Sequence, residues 1–384
     1  MKVSQIYELT NTIVKEQLGE ETIVKEDLSN IVDIGKAFEN TVGFDNYVRS
    51  LSDHVGRMIF VNRVYRGNTP SVLMDGWEYG SILEKVSAKL PEASANESWE
   101  LTDGTSYDPN IFYKPSVSVK CFNDRVTFEI PVSITEKQVK SAFNTPTQMN
   151  AFISMLYTAI ENAMTIKIDS LVMRTINNMI AETIHSEYNG AGLETKSGIR
   201  AVNLLKLYND STGGTLTAEK ALTDMDFIKY ASMTLAQYMD RMATMSTLFN
   251  VGGAERFTPR TDNHVVLLSD FKHAADFYLQ SSTFNEQYTR LPNAETVPYW
   301  QGSGTGYAFD DVSKIDVKTA SNNAVTVTGV IGIMFDRNAL GVANLDRRVT
   351  SQYNAKGEFW NEWHKFDAGY FNDLNENFVV FFVA

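Results

Sequence analysis

The stretch TPTQMNAFISMLYTAIENAMTIKIDSLVMRTINNMIAETI, Thr145 to Ile184, constrains the fold more than any other part of the chain. It holds no glycine, and no proline after Pro146. Apolar residues return every three or four positions, from Met149, Phe152 and Leu156 through Ile160, Met164 and Leu171 to Ile176 and Ile180. That is the period of a helix with one buried stripe. Thr145 stands where a cap belongs, Pro146 suits the first helical position, and Gln148 lies three residues after the cap. Glu187–Gly190 supplies the stop. Some forty residues rising 1.5 Å each make a rod of roughly 60 Å, about three times the usual helix. Tyr157, Ile166 and Met173 widen the apolar arc past a simple coiled-coil seam. A wide stripe calls for a sheet laid along the helix, so the helix reads as the spine of an elongated domain.

What flanks the rod is mixed. The first sixty residues read as short helices broken by Gly19, Gly35, Gly43 and Gly56, a segment that needs another surface to lie on. RMIFVNRVY and PSVLMDGWEYG read as β, and LPEASANESWELTDGTSYDPN (90–110) is a polar, acidic excursion too long for a tight hairpin. After it Val117, Val119 and Cys121, then Val126, Phe128, Ile130 and Val132, alternate with period two, which predicts one covered and one wet face. Beyond the rod, residues 223–250 predict a second amphipathic helix with Thr223 as cap and Asn250 near its end, and HVVLLSDFKHAADFYL a buried strand entering a helix capped by Ser269 or Asp270. NAETVPYWQGSGTGYAFDD reads as loop, AVTVTGVIGIMFDRNALGV as a strand stopped by its turn, and NFVVFFVA as a packed final strand.

Composition bounds the function. The chain has 384 residues, 43% hydrophobic and 21% charged, ordinary for a folded protein. A net charge of −13 speaks against direct gripping of nucleic acid as the main task. Cys121 is the single cysteine, which excludes an intramolecular disulfide and a cysteine-based metal site and reads as a small buried hydrophobe. The start of the sequence does not read as a secretory signal, and no apolar run of about 18 residues occurs, so no membrane span is expected.

No residue pattern amounts to an active site. Gly302–Gly306 (GSGTG) has the wrong spacing for a dinucleotide fingerprint and no helix start after it. None of His54, His185, His264, His273 and His364 has a second histidine three or four residues on, so a helical metal pair is lacking. His264 and His273, with Asp262 and Asp270 beside them, are the residues a hydrolytic site would use; they read more simply as surface or capping groups. Asp310 and Asp311 read as solvated loop charges, and Trp360, Trp363 and Phe366 as one face of a sheet. No catalytic, cofactor-binding or metal residue is assigned, and no cofactor is expected.

The order of these parts is similar to the major capsid proteins of tailed bacteriophages with the Hong Kong 97-type fold. The arm, the two strands around a polar excursion, the helix from Pro146, the stretch FYKPSVSVKCFNDRVTFEIPVSITEKQVKSAFNTPTQMN and the closing VIGIMFDRNALGVANL carry the resemblance, which looks most like the small short-tailed phages of the φ29 kind. It implies an α+β fold with an N-terminal arm (1–60), an extended β-hairpin E-loop with flanking strands (61–136), a spine helix with a P-domain sheet (137–215), an α/β A-domain (216–330) and C-terminal strands returning to the P-domain (331–384).

The same resemblance implies a non-enzymatic shell subunit. It would partner copies of itself in pentamers and hexamers, meet scaffolding, portal and head-fibre or decoration proteins, and lie near packaged DNA without binding it tightly or touching a membrane. It would be assembled in the host cytoplasm and end in the virion. Glu92, Glu97, Glu100, Asp103 and Asp108 on the excursion would meet basic residues of the next subunit, with Arg256, Arg260, Arg290, Arg347 and Arg348 as candidates. An encapsulin-like nanocompartment shell, an enzyme using 216–330, and a scaffold built on the helix remain as alternatives.

Overall fold

The structure is a computed structural model that describes residues 63–67, 69–74, 82–135, 146–281, 294–301, 306–319 and 322–384. The expected arm, the Thr145 cap, His54, Arg290 and most of the 302–306 glycine stretch lie outside the described residues. The chain divides into two compact units. The described parts of the first are 63–66, 129–135, 146–164 and 349–364, and the second comprises the rest.

In chain order the strands begin with β1 (Leu73–Met74), β2 (Leu83–Ala88), β3 (Val117–Phe122) and β4 (Arg125–Thr135). Helix α1, Pro146–Tyr188, is one unbroken element of 43 residues, about 65 Å at the standard rise. Its C-terminal half is the buried half: Val172, Ile176, Met179 and Ile180 are fully covered. The polar residues among them are satisfied locally, Thr175 and Thr183 donating to the carbonyls of Leu171 and Met179 at 2.8 Å. Asn177 donates to the Trp300 carbonyl at 2.8 Å. The helix stops where Asn189 and Gly190 both take positive φ, 46° and 84°, the left-handed turn that glycine and asparagine tolerate.

Next come β5 (Ala201–Asn203), α2 (Leu204–Thr212), α3 (Ala218–Ala221) and α4 (Met225–Met242). The cap of α4 is Asp224, which accepts from the Phe227 amide at 2.8 Å, not the expected Thr223. The helix also ends eight residues before Asn250, which is buried and closes a loop by exchanging two hydrogen bonds with Ala254. β6 (Asn263–Leu268) runs directly into α5 (Ser269–Ser281). β7 (Glu295–Val297) pairs parallel to β6 within a stretch expected to be loop. α6 (Phe309–Val312), β8 (Ile315–Lys318), β9 (Ala324–Val327), β10 (Val330–Asp336), β11 (Leu340–Asn354), β12 (Phe359–Asn372) and β13 (Phe378–Phe382) complete the order.

The core of the second unit is a five-stranded mixed sheet in the order β5-β13-β10-β6-β7. β10 and β13 are buried at every residue, as continuous apolar runs covered on both faces should be. Leu204, Phe227, Leu235 and Phe271 from α2, α4 and α5 pack with Val265, Leu267, Ile331 and Phe381 of the sheet. Tyr188 at the end of α1 meets Phe382 edge-on at 5.9 Å. Gly329 opens the turn into β10 with φ of 80°, and a Cβ there would lie 2.0 Å from the Val383 carbonyl, so only glycine fits. A second sheet has the order β1-β11-β12-β4. The final strands therefore divide: β10 and β13 join β6 in the five-stranded sheet, while β11 and β12 lie between β1 and β4 in the other. Trp363 stands out of step with Trp360 and Phe366 along β12; Trp360 is exposed against Tyr353, and Phe366 is buried on Phe128, so the three do not share one face.

Candidate assembly surface

β2 and β3 form a two-stranded ladder. Its register sets Leu83, Lys85 and Ser87 opposite Phe122, Lys120 and Ser118, and Glu84, Val86 and Ala88 opposite Cys121, Val119 and Val117. Successive side chains alternate between faces. On the first face Leu83, Lys85, Ser87, Lys120 and Phe122 are half-buried. On the second face Val86, Val117 and Val119 are 61%, 56% and 53% exposed, and Cys121 is exposed as well. The usual arrangement is partly reversed: lysine and serine turn inward with Leu83 and Phe122, while the valines turn outward with Glu84. Two expectations fail here: Val117, Val119 and Cys121 do not form a covered face, and Cys121 is not a buried hydrophobe. Along β4 the same pattern behaves as expected, with Val126, Phe128, Ile130 and Val132 half-buried.

From this ladder hangs the loop 89–116, in which every residue is exposed. Local hydrogen bonds shape it. The Lys89 amide donates to the Ser116 carbonyl at 2.9 Å, Asn96 caps a short 3-10 turn over 97–99, and the Thr102 amide donates to the Tyr107 hydroxyl at 3.0 Å. Trp99 is 87% exposed, and Leu101, Ile111, Phe112 and Tyr113 also face solvent. Glu92, Glu97, Glu100, Asp103 and Asp108 are all exposed among them. Ladder and loop together are a finger carrying both apolar and acidic groups into solvent.

The root of the finger is held by charge. Lys85 Nζ lies 2.8 Å from Asp373 and 2.6 Å from Glu376, and donates to the Asn338 carbonyl at 3.1 Å. Lys120 Nζ lies 2.9 Å from the other oxygen of Asp373. Arg256 reaches Glu376 at 3.3 Å. The Asp373 side chain is only 2% exposed. Burial pushes its pKa up, but hydrogen bonds from Lys85, Lys120 and the Asn375 amide, with the Lys85 charge, outweigh that and hold it below the ordinary carboxylate range. Phe122 adds an aromatic contact to buried Phe371 at 5.2 Å.

The basic residues singled out from the sequence are in different positions. Arg256 is half-buried in the ion cluster. Exposed Arg260 pairs with Asp240, and exposed Arg348 with Asp346 at 3.0 Å. Arg347 lies beside Arg348 on the exposed part of β11. His264 stacks on Phe335 at 5.4 Å and His273 is exposed on α5. Among the described residues no group of three or more His, Cys, Asp or Glu could hold a metal ion. No helix among the described residues is long and apolar enough to cross a membrane. Sequence reasoning missed the cluster of Lys85, Lys120, Asp373 and Glu376, because its members are up to 291 positions apart in the chain. The one local signal was a lysine in the middle of each short strand, Lys85 in LEKVSA and Lys120 in VSVKCF.

The family model of the Phi29-like phage major capsid protein matches residues 10–382. The chain belongs to this family. It is thus a tailed-phage major capsid protein, and its principal partners are copies of itself. No curated protein matches the chain. Solved phage structures share its fold, two of them as follows. The capsid structure of Staphylococcus phage Andhra matches with a TM-score of 0.53 at 9% identity, over 86% of this chain and 87% of that one. A structure of the head fibre and inner core protein of native bacteriophage P68 matches with a TM-score of 0.55 at 10% identity, over 86% and 88%. At such identities the agreement is one of fold, the Hong Kong 97-type α+β capsid architecture expected from the sequence. Membership of this family places the chain among phage capsid proteins rather than nanocompartment shells.

Proposed function

We propose that the chain is a non-enzymatic building block whose finger, 82–122, docks on a neighbouring copy to close an icosahedral or prolate shell around a double-stranded DNA genome. The single observation that carries this is the partly reversed ladder: Val86, Val117 and Val119 face outward, where the chain itself leaves them exposed. Burying such side chains against a second copy contributes roughly 25 cal/mol for each Å² of apolar surface removed from water. A shell multiplies many modest contacts, which can anneal before they lock.

On this reading 1–60 is the arm, 61–136 the extended loop, 137–215 the spine, 216–330 the domain directed at the capsomer axis, and 331–384 the returning strands, which feed both sheets. Copies gather in pentamers and hexamers. Scaffolding, portal and head-fibre or decoration proteins are the other partners, and assembly takes place in the host cytoplasm. The acids Glu92, Glu97, Glu100, Asp103 and Asp108 meet basic residues of the next copy. Arg260, Arg347 and Arg348 are the exposed candidates, with half-buried Arg256 and with Arg290. Each exposed pair is worth about 0.2–1 kcal/mol. The net charge of −13 keeps packaged DNA from being pinned to the wall.

Electron microscopy of the purified chain tests the reading. Closed shells are expected from the native sequence, and folded but unassembled protein from Val86→Ser with Val119→Ser. Normal shells from that variant would sink the docking role of the finger.

A further inference from the structure

We propose that Lys85 and Lys120, with the buried carboxylates of Asp373 and Glu376, form a latch that aims the finger before any second copy arrives. The proposal rests on the reading of the finger as the contact between copies. Its starting point is an anomaly in the ladder. Lys85 and Lys120 are direct cross-strand partners, and like charges so placed repel. Nothing within the finger offsets this. Both ammonium groups instead reach a single carboxylate, Asp373, one to each oxygen.

Gripping one buried anion from both strands fixes the rotation of the ladder as well as its position, which a single ion pair would not do. The anion is itself fixed. The Asp373 amide donates to the Ala339 carbonyl at 2.7 Å, and the Asn375 amide donates to the Asp373 side chain at 3.0 Å. Glu376 ties Lys85 to Arg256 in the loop before β6, and the Asn338 carbonyl ties Lys85 to the turn between β10 and β11. Three cations from three segments thus converge on two carboxylates of the β12–β13 turn. A finger held this way presents its valines in one direction, and docking then costs less ordering entropy than it would for a swinging one.

Hydrogen–deuterium exchange on the unassembled full chain tests the latch, with Lys120→Met and with Lys85→Met plus Lys120→Met. Amides of 83–88 and 117–122 are expected to exchange at least about tenfold faster in both variants, while those of 263–268, 330–336 and 378–382 keep their native rates. Unchanged exchange in the ladder of Lys120→Met overturns the proposal. Should the double variant loosen throughout, the single variant still decides, because Lys85 keeps Asp373 paired there. Particles grown from each variant give the second reading: malformed or mixed shells are expected, and uniform native-like shells from a chain whose ladder exchanges faster would overturn the aiming role. A native chain that forms no shells at all would remove the assembly reading and leave the exchange result standing.

Discussion

The finger ladder and the interior strand β13 are both short apolar-containing β elements, yet they solve opposite problems. In β13 every residue is buried, and Phe378, Phe381 and Phe382 are among the largest fully buried side chains of the chain. In the ladder the valines face solvent and the two lysines face inward. The first owes its place to apolar area removed from water; the second is placed by ion pairs, with its apolar area left over. The difference teaches that strand pattern reports which residues share a face, and that only the surroundings decide which face is wet.

Substitutions should separate the two regions. Phe381→Ala leaves a cavity in the core against the sheet and is expected to cost about 3–5 kcal/mol, measured by denaturant unfolding. Asp373→Asn removes one carboxylate of a buried ion cluster, taking from Lys120 its ion pair while Lys85 keeps Glu376, with an expected cost of about 3 kcal/mol or somewhat less that falls on the finger root first.

The pH dependence follows from the lowered pKa of Asp373. A carboxylate with a depressed folded pKa contributes its full stabilisation above the ordinary value of about 3.9, and loses it as pH falls through the lower folded value. Proteolysis across the ladder should therefore stay slow at pH 5 and rise only under stronger acid; release already at pH 5 would break the comparison. Asp224→Ala, which deletes the cap of α4, should lower stability by about 1 kcal/mol and leave finger exchange unchanged. The smallest effect on the chain itself is expected from Val86→Ser with Val119→Ser, within about 0.5 kcal/mol, despite its loss of shells. Reversing the charge of Glu97, Glu100 and Asp103 should likewise leave unfolding unchanged and lower particle yield; unchanged yield would remove the acids from the contact.

Much of the architecture was legible because it depends on local period. The rod showed itself through its apolar spacing and its Glu187–Gly190 stop, and the packed final strand through unbroken apolar character. Thr223 was preferred over Asp224 as a cap because both are good capping residues one position apart, and the choice depends on backbone angles. β7 escaped notice because three residues give too little pattern, and its pairing partner β6 is a distant neighbour in sequence. The ion cluster was illegible for a stronger reason: the loop 89–116 does not fix the register of β2 on β3, so nothing in the order of residues sets Lys85 opposite Lys120.

The sequence alone determined a long unbroken helix, an exposed acidic excursion between strands, and a buried apolar C-terminal strand, since each follows from spacing within one segment. Tertiary structure decided that Val86, Val117 and Val119 point outward while Lys85 and Lys120 share one buried carboxylate. The physical reason is that the free energy of a side chain depends on what stands opposite it, and the partners of this ladder come from the far end of the chain.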